Sequence, residues 1–267
     1  LSVAEMQLRA QDTLPYKNPR LSTEARVADL LSRITLEEKF WQLYMIPAPM
    51  DVDLSKYPNG IFGFQFATAG HATDGADQMM DYASVGTVET VKAINRAQKY
   101  FLNETRLGIP IIPFDEALHG LVRNGATAFP QSIALAATFD TALMADVAFI
   151  IASDVKERGI RMVLSPVLNV AVDARWGRVE ETYGEDPFLT ARLGTVFVRG
   201  LQGEDEKYLK TAACAKHFAV HSGPEKTRHE FNALPSEKDF RETYLPAFKT
   251  LVDADVEAVM CAYNRLY

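Results

Sequence analysis

"AKHFAVHSGPEKTRH" spans residues 215–229. Here an apolar run, "AACAKHF", turns into a polar loop. Lys216 and His217 stand at the turnover, and with His221 and His229 they place three of the chain's five histidines in this stretch. A lysine at the end of an apolar strand must find a partner or a ligand, because an unpaired ammonium is prohibitively costly to bury. A buried strand that opens into a loop loaded with polar groups is how parallel α/β folds build sites at the carboxyl ends of their strands.

The same beat recurs along the chain. Strand candidates are "IFGFQF" (61–66), "IPIIPF" (109–114), "MVLSP" (162–166), "AACAKHF" and "VEAVMCAY" (256–263). Helical stretches lie between them: "TVETVKAINRAQKYFLNE", "DTALMADVAFIIASDVKERG", "DPFLTARLGTVFVRGLQ" and "EKDFRETYLPAFKTLVD". Asp140 reads as the N-cap of the second and Gly159 as the residue that follows its C-cap. Alternating strands and helices, with strands apolar on both faces, predict an α/β fold on a parallel sheet with right-handed crossovers. Two helices come first: "LSTEARVADLLSRI", with an apolar stripe at Ala25, Ala28, Leu30 and Leu31, and "TLEEKFWQLY", where Thr35 and Glu38 form a capping box. Before them, "DTLPYKNPR" is punctuated by proline and predicts an extended arm.

Bulk properties narrow the function. With 267 residues, 48% of them hydrophobic, the chain can bury a large core. A net charge of −7 without a basic block argues against nucleic-acid or membrane-surface partners. No apolar run approaches the roughly 20 residues that span a bilayer. The N-terminus lacks the pattern of a signal peptide but is compatible with what remains after one is removed, so a periplasmic or secreted location is favoured over a cytoplasmic one. Cys214 and Cys261 sit in apolar runs and are expected to be buried, reduced thiols.

The loops that follow four successive strands carry the polar residues. These are Asp115, Glu116 and His119; then Asp173, Arg175, Trp176, Arg178, Glu180, Glu181, Tyr183, Glu185 and Asp186; then Lys216, His217, His221, Arg228 and His229; then Tyr263, Asn264 and Arg265. Carboxylates, guanidinium groups, imidazoles and an aromatic wall suit a polyhydroxylated ligand. Blander readings stand beside this. "DARWGR" also fits a solvated turn with Trp176 plugging the core. Glu185 and Asp186 also fit a helix start, with acids on the macrodipole and Pro187 in the first turn. His217 and His221 would share a face only on a helix, whereas here they straddle a strand end and a Gly-Pro loop, so no metal site is expected.

"IPIIPFDEALHG", "ARWGRVEETYGEDP", "CAKHFAVHSGP" and "VMCAYNR" together resemble glycoside hydrolase family 3, the family of β-glucosidases, β-xylosidases and some β-N-acetylglucosaminidases. The resemblance implies a (β/α)8 TIM-barrel-like catalytic domain, incomplete in this chain with about five βα units. Residues 1–20 would be an arm and residues 21–267 the N-terminal portion of the barrel. It further implies an exo-acting, retaining glycosidase that needs no cofactor. Carried over, Glu116 matches the carboxylate that grips outer hydroxyls of the sugar, Arg178, Lys216 and His217 match other ring-hydroxyl contacts, and Tyr263 matches a tyrosine beside the nucleophile. His221, Arg228 and His229 are secondary candidates.

Retaining hydrolysis needs a nucleophile and an acid/base. The resemblance places both beyond Tyr267, so no catalytic residue is expected within this chain, and its partners are expected to be the rest of the same enzyme and a β-glycoside or oligosaccharide substrate. A homo-oligomer is left open. An Asp/His dyad such as the N-acetylglucosaminidase members use is not expected, because Thr227 stands where the aspartate would precede His229. Glu116 is one methylene longer than the aspartate of many glucosidases and would crowd a C6 hydroxymethyl, which favours xylose over glucose. The reading is therefore a β-xylosidase segment, with a β-glucosidase as the alternative and a non-catalytic sugar-binding fragment as the alternative of another class.

Overall fold

The computed structural model describes residues 14–66 and 86–267. Its frame is a run of parallel strands laid side by side in chain order. Strand β1 (Met45–Ala48) pairs with β2 (Gly63–Phe66). Strands β3 (Phe114–Asp115), β4 (Met162–Val163), β5 (Ala212–Phe218) and β7 (Ala258–Cys261) form a four-stranded parallel sheet in that order. A backbone hydrogen bond from Ile112 N to Phe62 O (2.8 Å) joins the two groups. A further parallel pair, β6 (Asn232–Ala233) with β8 (Arg265–Leu266), ties the loop after β5 to the segment after β7.

A strand stands at each of the five expected places, though "IPIIPF" contributes only its last residue to β3 and "MVLSP" only two residues to β4; β1, β6 and β8 are additions that the sequence reading missed. "MIPA" is short and holds Pro47, which cannot donate to a ladder and is tolerated on an edge strand such as this one. Strand β5 is buried on both sides over most of its length, as an inner parallel strand must be. Strand β7, at the other edge, alternates between half-buried and exposed. Cys261 lies on its open side and is exposed, so only Cys214 meets the expectation of a buried thiol. A groove of about 800 Å³ runs along this edge, with Phe218, Phe248 and Val259 in its walls.

Helices pack against the strands. Helices α1 (Thr23–Arg33) and α2 (Leu36–Trp41) come first, and Thr35 and Glu38 form the expected capping box. The stripe on α1 exists, but none of its residues is buried. Helix α3 (Thr87–Asn103) buries Thr90, Ala93, Ile94, Ala97 and Phe101, one face at helical spacing. After the short α4 (Ser132–Ala136), α5 (Thr141–Glu157) is capped by Asp140, and Gly159 follows with φ of 79°. Helix α6 (Pro187–Gln202) is capped by Asp186, whose Oδ1 accepts from Phe188 N and Leu189 N. The single helix expected over 237–253 is divided into α7 (Glu237–Asp239), a π turn (Phe240–Tyr244) and α8 (Pro246–Val252). Pro246 has no N–H to continue the ladder, and the wider turn, closed by Leu245 N to Phe240 O (3.0 Å), accommodates it.

The segment expected as an extended arm is a 3-10 turn (Pro15–Lys17) over its described part. The buried ring of Tyr16 anchors it, its hydroxyl donating to Leu107 O at 2.5 Å. Residues 1–13 of that arm lie outside the described residues.

Helix α6 gives a direct test of where the core sits. Phe197 is 0% exposed and Phe188, on the same helix, is 73% exposed. Phe197→Ala should cost about 3–5 kcal/mol, and Phe188→Ala should stay within about 0.5 kcal/mol. Urea unfolding midpoints of the two variants check this, and equal shifts would contradict the placement of the helix.

Candidate functional site

Lys216 closes strand β5 with its side chain 2% exposed, while Glu116, just beyond β3, is 40% exposed. The ammonium donates to both carboxylate oxygens, at 2.9 and 2.7 Å. The partner that an ammonium in an apolar strand requires is thus supplied from 100 residues away, and the pair holds two strand ends together. The carboxylate of Glu116, only half shielded, keeps lone pairs free for a ligand.

A second set, with Asp115 and Arg123 buried, holds Glu116 from behind. Asp115 Oδ1 accepts from Glu116 N (2.8 Å) and from Gln65 Nε2 (3.1 Å). Its Oδ2 accepts from Arg123 Nη2 (2.8 Å), which also donates to Phe66 O. Burial pushes the Asp115 carboxyl up to about 6, opposed by the Arg123 charge. Arg123 was not expected here, because "GLVRNG" reads as solvated loop and no periodicity marks it as buried. His119 belongs elsewhere: its Nδ1 meets Phe129 O at 2.8 Å and braces the loop.

The histidines gather with Tyr263. His217 and His221 lie 4.7 Å apart between ring centroids. Tyr263, exposed at the end of β7, stacks near His217 and meets His221 and His229. Trp176 is buried and packs edge-on against His221, as the core-plug reading had it. The two inner histidines share one arrangement. His217 Nδ1 faces Asn169 Oδ1 at 3.0 Å, and His221 Nδ1 faces Asn264 Oδ1 at 3.1 Å. Burial first, then neighbouring positive charge, holds His217 well below the usual imidazole range. Burial also lowers His221. Asn169 escaped the sequence reading. Its one signal was a lone amide in the apolar run "VLNVAV".

Arg178 reaches this group from the loop after β4. Its Nε and Nη2 donate in a fork to Glu181, at 2.8 and 2.6 Å. Burial alone would depress the guanidinium, but the Glu181 hydrogen bonds and the negative charges of Glu181 and Glu116 together raise its pKa above the ordinary value. Arg228 donates to Glu225 (2.8 Å), and Glu225 accepts from Gly177 N (3.0 Å), so two loops are laced together. Asp173 and Arg175 pair in solvent, where Arg175 holds the carboxyl down at about 2. They form the solvated turn, and Asp186 serves its helix as a cap.

The structure therefore brings Glu116 to Lys216, groups His217, His221, His229 and Tyr263, and sets Arg178 where its charge acts on His217 and His221. Acceptors (Glu116, neutral imidazole), donors (Lys216, Arg178) and an exposed aromatic ring line one end of the strand array, which is the equipment for holding a ring of hydroxyl groups. Among the described residues no cluster of three or more His, Cys, Asp or Glu is arranged to hold a metal ion.

Comparison with known proteins gives a consistent set of matches. The glycosyl hydrolase family 3 N terminal domain matches residues 35–266. A xylan 1,4-beta-xylosidase of Xylanibacter ruminicola is 41% identical over 95% of this chain and 26% of its own length. Beta-D-xylosidase 3 of Arabidopsis thaliana is 32% identical over 95% of this chain and 29% of its own. Among solved structures, a β-glucosidase from Erythrobacter marinus superposes with a TM-score of 0.79 at 27% identity, covering 95% of this chain and 33% of that one. The chain thus spans about a quarter to a third of the length of these relatives.

Proposed function

The chain belongs to glycosyl hydrolase family 3, and from that premise we propose that it forms the sugar-gripping part of an exo-acting, retaining β-glycosidase that removes terminal β-D-xylosyl residues from oligosaccharides. The observation that carries this reading is the Lys216–Glu116 pair, a buried ammonium held by a half-exposed carboxylate at the strand ends. Glu116 accepts hydrogen bonds from vicinal hydroxyls of the sugar, Lys216 and Arg178 donate to hydroxyl oxygens on the ring, and Tyr263 walls the site. The nucleophile and the acid/base of the retaining reaction are assigned to the remainder of the enzyme, which the length of the relatives supports.

Relatives named as β-xylosidases support xylose. The length of Glu116 supports it as well, since its carboxylate occupies space that a C6 hydroxymethyl would need. A β-glucosidase is the second reading, favoured by the structural likeness to one. Full-length enzyme assayed on aryl β-xyloside and aryl β-glucoside decides between them, and turnover of neither would overturn both.

Two variants of the full-length enzyme probe the pair. Lys216→Ala should lower kcat/KM by more than about 100-fold, roughly 3 kcal/mol, because a donor at a hydroxyl counts most as charge develops in the transition state. Its effect on unfolding should be the smaller one. A variant that unfolds readily yet turns over normally while folded would make Lys216 purely structural.

Glu116→Asp should open the pocket by one methylene and keep part of the grip. Glucoside kcat/KM should then rise relative to xyloside by about 10-fold, the scale of a methylene in a fitted pocket. An unchanged ratio in paired kinetics would show that the length of Glu116 does not select the sugar.

A further inference from the structure

We propose that Asn169 is a positioning residue that fixes His217 in one tautomer, with its Nδ1–H engaged and its Nε2 lone pair offered to the ligand, so that His217 accepts a hydrogen bond from a sugar hydroxyl. The proposal rests on the sugar-gripping reading above and adds a direction to one of its contacts.

The amide of Asn169 has no freedom to flip. Its Nδ2 lies 2.9 Å from His217 O and 3.2 Å from Ala219 O, both of which only accept. Its Oδ1 lies 2.9 Å from His217 N, which only donates. The end facing the imidazole is therefore an oxygen, and His217 Nδ1, 3.0 Å from it, must carry the proton. In a neutral ring the other nitrogen is then a bare acceptor. The ring is kept neutral by its surroundings: it is 2% exposed, with Lys216 beside it on the strand, Arg178 from the loop after β4, and His221 and Arg228 from the loop after β5. Tyr263 stacks on it from the end of β7. The carboxylates nearby also hold cations, Glu116 holding Lys216 and Glu181 holding Arg178. The site thus carries several cationic donors, and an acceptor beside Glu116 helps to match the hydroxyl protons. Asn169 makes His217 that acceptor.

Asn169→Asp in the full-length enzyme tests this. The aspartate can still accept from His217 N and Nδ1 but loses the bonds that Nδ2 donates to His217 O and Ala219 O, a loss that does not depend on pH; its negative charge favours the imidazolium, and a protonated Nε2 can no longer accept. Activity should then fall as pH falls. kcat/KM should acquire an acid limb near neutrality, with a loss of about 10-fold per pH unit below the new pKa, that the wild type lacks. The limb should vanish in Asn169→Asp/His217→Gln. A purely structural Asn169 would lower activity at every pH and leave the profile parallel to wild type, and that result would overturn the proposal.

A second measurement needs no variant at Asn169. Wild type and His217→Ala are compared on aryl β-xylosides whose ring hydroxyls are replaced one at a time by hydrogen or by fluorine, which accepts weakly and cannot donate. The penalty that depends on His217 should be the same for both replacements. Recovery by fluorine would show His217 to be a donor and would also overturn the proposal. A wild-type enzyme silent on every aryl β-glycoside would instead remove the reading on which the proposal rests, which is a different result from active enzyme with an unmoved profile.

Discussion

An ammonium cannot lie 2% exposed inside a strand array without an anion, and the position of Lys216 therefore dictates the position of Glu116. The pair spans β4, which lies between β3 and β5, so the three strands must hold a common register for the charges to meet. Breaking such a pair leaves a buried charge uncompensated, which is far worse than never having built it. Any displacement of the loop after β3 is thus opposed at the carboxylate, and Asp115, clamped by Arg123 and Gln65, opposes it again at the backbone.

The same logic extends to the flanking loops, each tied to another through a side chain that bonds backbone. Asn169, from the segment after β4, holds three backbone atoms of 217–219. Asn264 donates to Val220 O, joining the end of β7 to the loop after β5. Glu225 accepts from Gly177 N, and Ser222 Oγ donates to Val170 O. Loops of this length carry much conformational entropy. Four cross-links of this kind convert them from chain that must be ordered on binding into a surface ordered beforehand, so less of the binding free energy is lost to ordering.

Much of this was legible in the residues. Helix limits at Asp140, Gly159 and Asp186 follow from capping chemistry that acts within four residues. The places of the five strands were legible from their apolar runs, though not their limits, since "IPIIPF" reaches β3 only at Phe114; Lys216 was conspicuous because it interrupts such a run. What escaped depends on distance or on exposure. That Lys216 meets Glu116 is a fact about packing, invisible to local pattern. Asn169 and Arg123 are each a single polar residue whose burial is decided by elements far off in sequence. Strand β1 was hidden by Pro47, and Cys261 was misjudged because an apolar run on an edge strand has one uncovered side.

The state of the site before ligand arrives bears on how it works. Lys216 and Arg178 are each already paired with a carboxylate, Glu116 and Glu181 respectively. On the proposed reading, a sugar hydroxyl would not have to bring these cations out of water, since the fold has already done so. It joins an existing pair, donating to a carboxylate lone pair and accepting from the cation's remaining protons. Such an insertion costs little reorganisation, because both charges stay where they are. It also makes the site demanding. A ligand lacking a hydroxyl at the right place leaves the pair intact but unshared, and one carrying extra bulk must push apart two charges that attract. On the reading proposed above, discrimination between a pentose and its hydroxymethylated counterpart would rest less on a wall of side chains than on the stiffness of one ion pair, with Asp115, Arg123 and Gln65 behind Glu116 setting that stiffness.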